Sequence, residues 1–175
     1  MTHRTKMNVE FVALLAAFAL FLSTVEYMIP KPIPFMRIGL ANLPLIIGLG
    51  VLTYREYFLL ALLKVIGQGL ISGTLFSYIG LFSLGGTLAS STVMLLLFIV
   101  FKEKISLLGI SIAGATASNV VQIELARLVL FGSAARFIAP PFLIAGLITS
   151  ILLGLFANRF VTTSTWYKKH KESSL

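Results

Sequence analysis

Between residues 9 and 160 the sequence is a succession of apolar runs, most of them long enough to cross a bilayer. Short clusters of proline, glycine or charge separate them. A hydrocarbon core roughly 30 Å thick takes about 20 helical residues per crossing. Backbone N–H and C=O groups find no water there, and runs of this length satisfy them internally as helices. The chain is 58% hydrophobic and 11% charged, with mean hydropathy +0.99. A soluble domain is about 45–50% apolar and about 25% charged. With 175 residues there is room for one domain. The expectation is an all-α membrane protein: one transmembrane domain over residues 1–175, built as a bundle of six transmembrane helices.

Those helices are expected at 9–29, 38–52, 57–72, 79–101, 105–131 and 137–160. Pro30, Pro32 and Pro34 stop the first. The second is short and carries Pro44, Gly48 and Gly50. Fifteen residues reach only about 22 Å, so it must be kinked, irregular or extended at one end. A Gly/Ser/Thr-rich connection follows the third helix, and Lys102, Glu103 and Lys104 make a tight turn after the fourth. Pro140 and Pro141 fall in the first turn expected for the sixth, where a missing N–H is tolerated. The tail from Trp166 onward is polar and is expected to be mobile.

The net charge of +8 would suggest nucleic acid in a soluble protein. Here the basic residues lie between and beside the apolar runs, as topology signals do. With the N-terminus inside, the cytoplasmic segments hold Arg4, Lys6, Arg55, Lys102, Lys104, Arg159, Lys168, Lys169 and Lys171. The external segments hold Lys31, Arg37 and Arg136. This imbalance predicts a multi-pass protein of the cell membrane with both termini in the cytoplasm.

Several chemistries lack their residues. There is no cysteine and no aspartate, and the two histidines, His3 and His170, lie at the ends. Disulfides, thiolate sites and Asp-rich magnesium–diphosphate motifs are therefore excluded, and a haem or zinc site is not expected. No phosphate-cradling glycine loop is present. The chain is expected to be neither an enzyme nor an ATPase, and to need no cofactor or metal.

An ionisable group in a membrane helix is costly unless it faces the bundle interior and finds a partner. Lys64 lies midway along the third helix, with Gln68 and Ser72 following on one stripe. Glu124 and Arg127 lie deep in the fifth. There Asn119, Gln122 and Arg127 share about 140° of arc, with Glu124 close enough for an i,i+3 pair. Glu26 ends the first helix; Arg37 and Asn42 open the second. These groups can converge as a polar cavity in the outer half of the bundle. The candidate binding set is Arg37, Asn42, Lys64, Gln68, Asn119, Gln122 and Arg127. Two or more cations suggest an acidic or phosphorylated small molecule. The plainer alternatives are that Glu124 pairs with Arg127 or Lys64 to lock helices together, and that Asn42 caps an irregular start. Ala13 and Ala17 are spaced as small-xxx-small beside Ala16, which marks either a close helix contact with a partner or ordinary packing.

Read together, these motifs are similar to a known family. Glu26 to Pro30, then Pro32, Ile38-Gly39-Leu40-Ala41-Asn42, Lys64, Gly73-Thr74-Leu75-Phe76-Ser77 and Asn119-Val120-Val121-Gln122 resemble the Gx transporter family, also labelled heptaprenyl diphosphate synthase component I. Lys64 stands where that family is expected to have arginine, and Ser118 where it often has histidine. Lysine keeps the charge but loses the planar fork. The family is similar to the substrate-binding S components of energy-coupling factor transporters. That resemblance implies six helices, a pocket opening outward beneath the first external loop, and docking through an Ala-xxx-Ala pattern, which Ala13 and Ala17 match. The implied partners are a transmembrane coupling protein and two ATPase subunits, and the implied function is import of a small, anionic or vitamin-like solute. The family label supports a second reading, a non-catalytic membrane subunit of a polyprenyl diphosphate synthase. A third is a stand-alone secondary transporter with Glu124 as proton carrier, although the two halves show no convincing repeat.

Overall fold

A computed structural model describes residues 9–30 and 39–174. All its regular structure is helical, and no strand occurs among the described residues. Helix α1 is Val9–Met28. The next described residue is Gly39, whose φ of +92° lies in the left-handed region that glycine adopts without a Cβ penalty. A 3-10 turn, Leu40–Asn42, leads directly into α2, Leu43–Gly48, with Pro44 in its first turn. The helix expected over 38–52 is thus six residues of α-helix between a left-handed glycine and a turn. It spans about 9 Å, so α2 is too short to cross a membrane.

Helix α3, Tyr54–Ile71, starts three residues earlier than expected. The reason is a capping box: Glu56 N–H donates to Thr53 Oγ1 at 3.5 Å and Thr53 N–H donates to Glu56 Oε2 at 2.8 Å. Ser77 caps α4, Tyr78–Phe101, by accepting from Ile79 N–H at 3.2 Å. Ser106 caps α5, Leu107–Ala126, by accepting from Gly109 N–H at 3.2 Å. Beyond Ala126 the chain widens into a π-helical turn, Arg127–Phe131, and tightens into a 3-10 turn, Gly132–Ala134. Helix α6 is Ala135–Thr163. It starts early enough that Pro140 and Pro141 fall in its second turn rather than its first. Ser164 is extended, with φ −72° and ψ 115°, and breaks the chain into α7, Thr165–Ser174.

The successive long helices from α3 to α6 alternate in direction, α1 packs parallel to α3, and glycines mark where helices approach. Gly48 of α2 lies against Leu15 of α1, Gly86 of α4 against Ser118 and Gln122 of α5, Gly114 of α5 against Met94 of α4, and Gly154 of α6 against Leu108 and Ser111 of α5. Small residues let membrane helices gain dispersion contacts that the lipid cannot supply. The main core joins Phe11, Leu15, Ile46, Leu60, Met94 and Ile110, and a smaller cluster packs around Phe82 and Phe142. The exterior is apolar as well, with Leu147, Leu152 and Phe156 of α6 exposed. Three stretches are long and apolar enough to cross a membrane: Val9–Met28, Tyr78–Phe101 and Leu107–Thr163. The last folds back on itself as α5 and α6. Helix α3 is 18 residues long and carries Arg55, Glu56 and Lys64.

The tail differs from the expectation of a mobile segment. Trp166 stacks on Phe11 at 5.2 Å and 25°, and Tyr167 is buried with its hydroxyl against Gly50. Two apolar-bodied rings hold α7 across the end of the bundle where α1 begins and α2 ends. A side chain at Gly50 would collide with the Tyr167 hydroxyl.

Candidate functional site

Five segments bring polar side chains to one place inside the bundle. Helix α1 supplies Glu26, which is 1% exposed and accepts a hydrogen bond from Gly39 N–H at 3.0 Å. That bond ties the end of α1 to the left-handed glycine and fixes where the following turn begins. The turn presents Asn42. Lys64 of α3, 4% exposed, donates through Nζ to Asn42 Oδ1 and to Thr87 Oγ1 of α4, the latter at 3.2 Å. One ammonium therefore joins three helical segments. On α5, Gln122 Nε2 donates to Ser118 Oγ at 2.8 Å. Both face Gly86 of α4, where a side chain would collide with them.

Glu26, Asn42, Lys64, Gln68, Ser118 and Gln122, together with Ser83 and Thr87, line one cavity of about 20 Å³. That volume admits about one water molecule. A second cavity of similar size adjoins it across Gly39 and Asn42, bounded by Ile46, Met94, Ser111, Ala115, Ser150 and Leu153. The first cavity contains one cation, one carboxylate, amides and hydroxyls in an otherwise apolar bundle. Gln122 is 2% exposed, and its Oε1 has no hydrogen-bond partner among the described residues. A buried acceptor without a partner costs about 1–3 kcal/mol, which a water or a solute donor in the cavity would recover.

The sequence-based candidates divide. Asn42, Lys64, Gln68 and Gln122 meet at the cavity. Asn119 is buried but does not line it; its amide packs on Gly146 of α6, which has no room for a side chain. Arg127 is not in the cavity. It is 57% exposed and pairs with Glu124, 52% exposed, at 3.4 Å. The inward direction of α5 is set by Ser118 and Gln122 against α4. Arg127 follows Ser118 by nine positions, which places it about 180° around the helix. The i,i+3 pairing of Glu124 with Arg127 expected from the sequence is present. Arg37 lies outside the described residues. Ser72 caps the end of α3, donating to the Gln68 carbonyl at 2.8 Å, and does not line the cavity.

Ser83, Thr87 and Ser118 were not among the sequence candidates. Single hydroxyls in membrane helices commonly bond back to their own turn, so their residue type carries little signal. Spacing does carry some: Ser83, Thr87, Ser90 and Ser91 fall on one stripe of α4, and all four are buried. Ala13 and Ala17, the candidate docking pair, both lie exposed on the outer side of α1, while Ala16 is buried.

The comparisons with known proteins agree with the motifs. The family model described as heptaprenyl diphosphate synthase component I matches residues 15–160. No curated protein and no solved structure matches. The match takes in every cavity residue from Glu26 to Gln122, and the chain belongs to the heptaprenyl diphosphate synthase component I family.

Proposed function

We propose that the chain is the membrane-embedded, solute-binding S component of an importer of the energy-coupling factor kind. The observation that carries this reading is the buried cavity around Lys64, where five segments converge and Gln122 keeps an unused acceptor. Polar groups inside a membrane bundle are expensive, and a set with spare hydrogen-bonding capacity fits a binding role better than a helix lock. Asn42, Lys64, Gln68 and Gln122 would contact the solute. Lys64 would take an anionic group, and the amides and hydroxyls would fix its orientation. A cavity of about 20 Å³ holds about one water, so binding a solute would need it to widen.

The chain lacks a nucleotide-binding loop, so energy would come from partners. The exposed Ala13 and Ala17 would let a transmembrane coupling protein approach α1 closely, with two ATPase subunits driving it. Both termini would be cytoplasmic. In support, the antiparallel order puts Arg55, Lys102, Lys104, Arg159 and the lysines of α7 at one end of the bundle.

The test is to purify the chain in mild detergent from cells grown in rich medium and identify the co-purifying small molecule by mass spectrometry. A water-soluble anionic metabolite should accompany the parent and Arg127→Gln, and be lost from Lys64→Met and from Gln122→Leu. The family name favours a second reading, a non-catalytic membrane subunit of a polyprenyl diphosphate synthase. Under that reading only lipid or polyprenyl species co-purify, unchanged by Lys64→Met, together with a soluble prenyl synthase.

A further inference from the structure

At the bundle end away from the cavity, Phe156, Arg159, Phe160, Thr163 and Ser164 line an open groove of about 320 Å³. It lies in the elbow where α6 breaks into α7. One wall is apolar: the Phe156 and Phe160 rings stack at 6.4 Å and 13°. That wall continues along α6 into the exposed Leu152 and Leu155, a surface that meets acyl chains in a bilayer. The rim is polar, with the exposed Arg159 beside two hydroxyls.

Helix α7 begins at this elbow, and its sequence is basic. It carries Lys168, Lys169 and Lys171 against one acid, Glu172. Its place is fixed, because Trp166 is stacked on Phe11 and Tyr167 is buried against Gly50. An aromatic and basic helix laid across the end of an apolar bundle has the chemistry of the membrane–water interface. Arg159 offers a fork of donors matched to phosphate oxygens, with Thr163 and Ser164 as neutral donors beside it.

We propose that the α6–α7 elbow binds the headgroup of an anionic phospholipid, with an acyl chain laid along Phe156 and Leu152. This site is separate from the cavity around Lys64 and does not depend on its function. Charge complementarity selects the occupant: Arg159 stands on the rim, no acidic residue is among the described residues lining the groove, and the sequence of α7 is basic, which together favour an anionic headgroup over a zwitterionic one.

The test is native mass spectrometry of the purified full chain with dioleoylphosphatidylglycerol or dioleoylphosphatidylcholine at equal mole fraction. Retention of the phosphatidylglycerol should exceed that of the phosphatidylcholine. Arg159→Gln should lower phosphatidylglycerol retention about fivefold, the value of one basic residue at a membrane surface, without changing phosphatidylcholine retention or melting temperature. Arg159→Lys should restore part of it, and the pair Lys168→Gln, Lys169→Gln gives an independent second reduction. Inorganic phosphate at millimolar concentration should not displace the lipid. Equal retention of both lipids would overturn the proposal, as would a preference that survives both sets of substitutions. Displacement by free phosphate, or a dimer that Arg159→Gln dissociates while lipid retention stays constant, would overturn it too.

Discussion

At mid-depth of the bundle Lys64 is 4% exposed and held by side chains from two neighbouring segments. At the far end of α5 Arg127 is 57% exposed and touches Glu124 of its own helix. Both are cations in apolar helices, where an isolated charge is costly, most of all at mid-depth. The two regions meet that cost differently. The Lys64 region spreads the charge over Asn42 and Thr87 and leaves polar capacity facing a cavity. The Arg127 region closes on itself in a local ion pair. Charge that is shared between helices constrains how they pack; charge paired within one turn leaves packing free. Substitutions in the two regions should therefore differ in size and in kind.

The largest effect is expected for Lys64→Met. It removes the donor from Asn42 Oδ1 and Thr87 Oγ1 and leaves Glu26 in a cavity with no lysine. Each stranded buried group costs about 1–3 kcal/mol. Thermal unfolding in detergent should show a clear loss of stability, and the co-purifying solute should vanish. Lys64→Arg should keep much of the stability, because the charge remains. If Lys64→Met melted like the parent and kept its solute, the distinction between the two regions would collapse.

Next in size is Gly86→Ala. A Cβ there would come within 2.6 Å of Gln122 Nε2 and 2.7 Å of Ser118 Oγ. Overpacking of this kind costs about 1–3 kcal/mol, and here it would push the Gln122 amide out of line with the cavity. Solute retention should fall more than stability does, measured by mass spectrometry and thermal unfolding on the same preparation. Equal falls would mean that Gln122 only packs.

Tyr167 sharpens the comparison from a third place, since it is buried without any polar network. Burial pushes its hydroxyl up to about 12 from an ordinary 10.0. The folded state therefore favours the protonated form, and that stability is present below pH 10. It is lost as pH rises from 10 toward 12, because the unfolded chain ionises first. The parent should lose stability over that window relative to Tyr167→Phe, followed as the difference in melting temperature between pH 9 and pH 11. A parallel pH response in the two proteins would mean that the hydroxyl reaches water.

The contrast between Lys64 and Arg127 also shows what the sequence could reveal. Hydropathy was sufficient to place α1, α4, α5 and α6, because long apolar runs have one favourable conformation in lipid. The capping box of Thr53 with Glu56 starts α3 three residues before the apolar run that hydropathy detects. The brevity of α2 was visible in Pro44, Gly48 and Gly50, but the left-handed Gly39 was not, since glycine permits that conformation without requiring it. Lys64 and Gln68 were legible because one stripe on α3 could point only inward at acceptable cost. The sequence puts Asn119, Gln122 and Arg127 on one broad arc of α5 without showing where along it the inward face lies. That face is centred on Ser118, Gln122 and Ala126, which only contact with Gly86 and its neighbours reveals. The helical tail escaped the sequence because Trp166 and Tyr167 are two aromatics in a polar segment, and their pockets at Phe11 and Gly50 are formed by residues over a hundred positions away.

The smallest effect is expected where Arg127 pairs with Glu124, and it bears most directly on what surrounds the end of α5. An exposed i,i+3 pair in water contributes about 0.3–0.5 kcal/mol. Were the pair immersed in hydrocarbon, each single substitution would strand a charge and cost more than the double substitution. The position of Arg127 at the start of the π turn, close to Gly132 and the end of the helix, lets its long stem carry the guanidinium toward the interface. Arg127→Gln and Glu124→Gln should therefore each change stability by no more than about 0.5 kcal/mol. The double-mutant coupling should be of similar size, and solute retention should not change. A coupling above about 1 kcal/mol would place the pair in lipid. Loss of solute from Arg127→Gln alone would return Arg127 to the binding set, and would require α5 to rotate by about half a turn in the bound state.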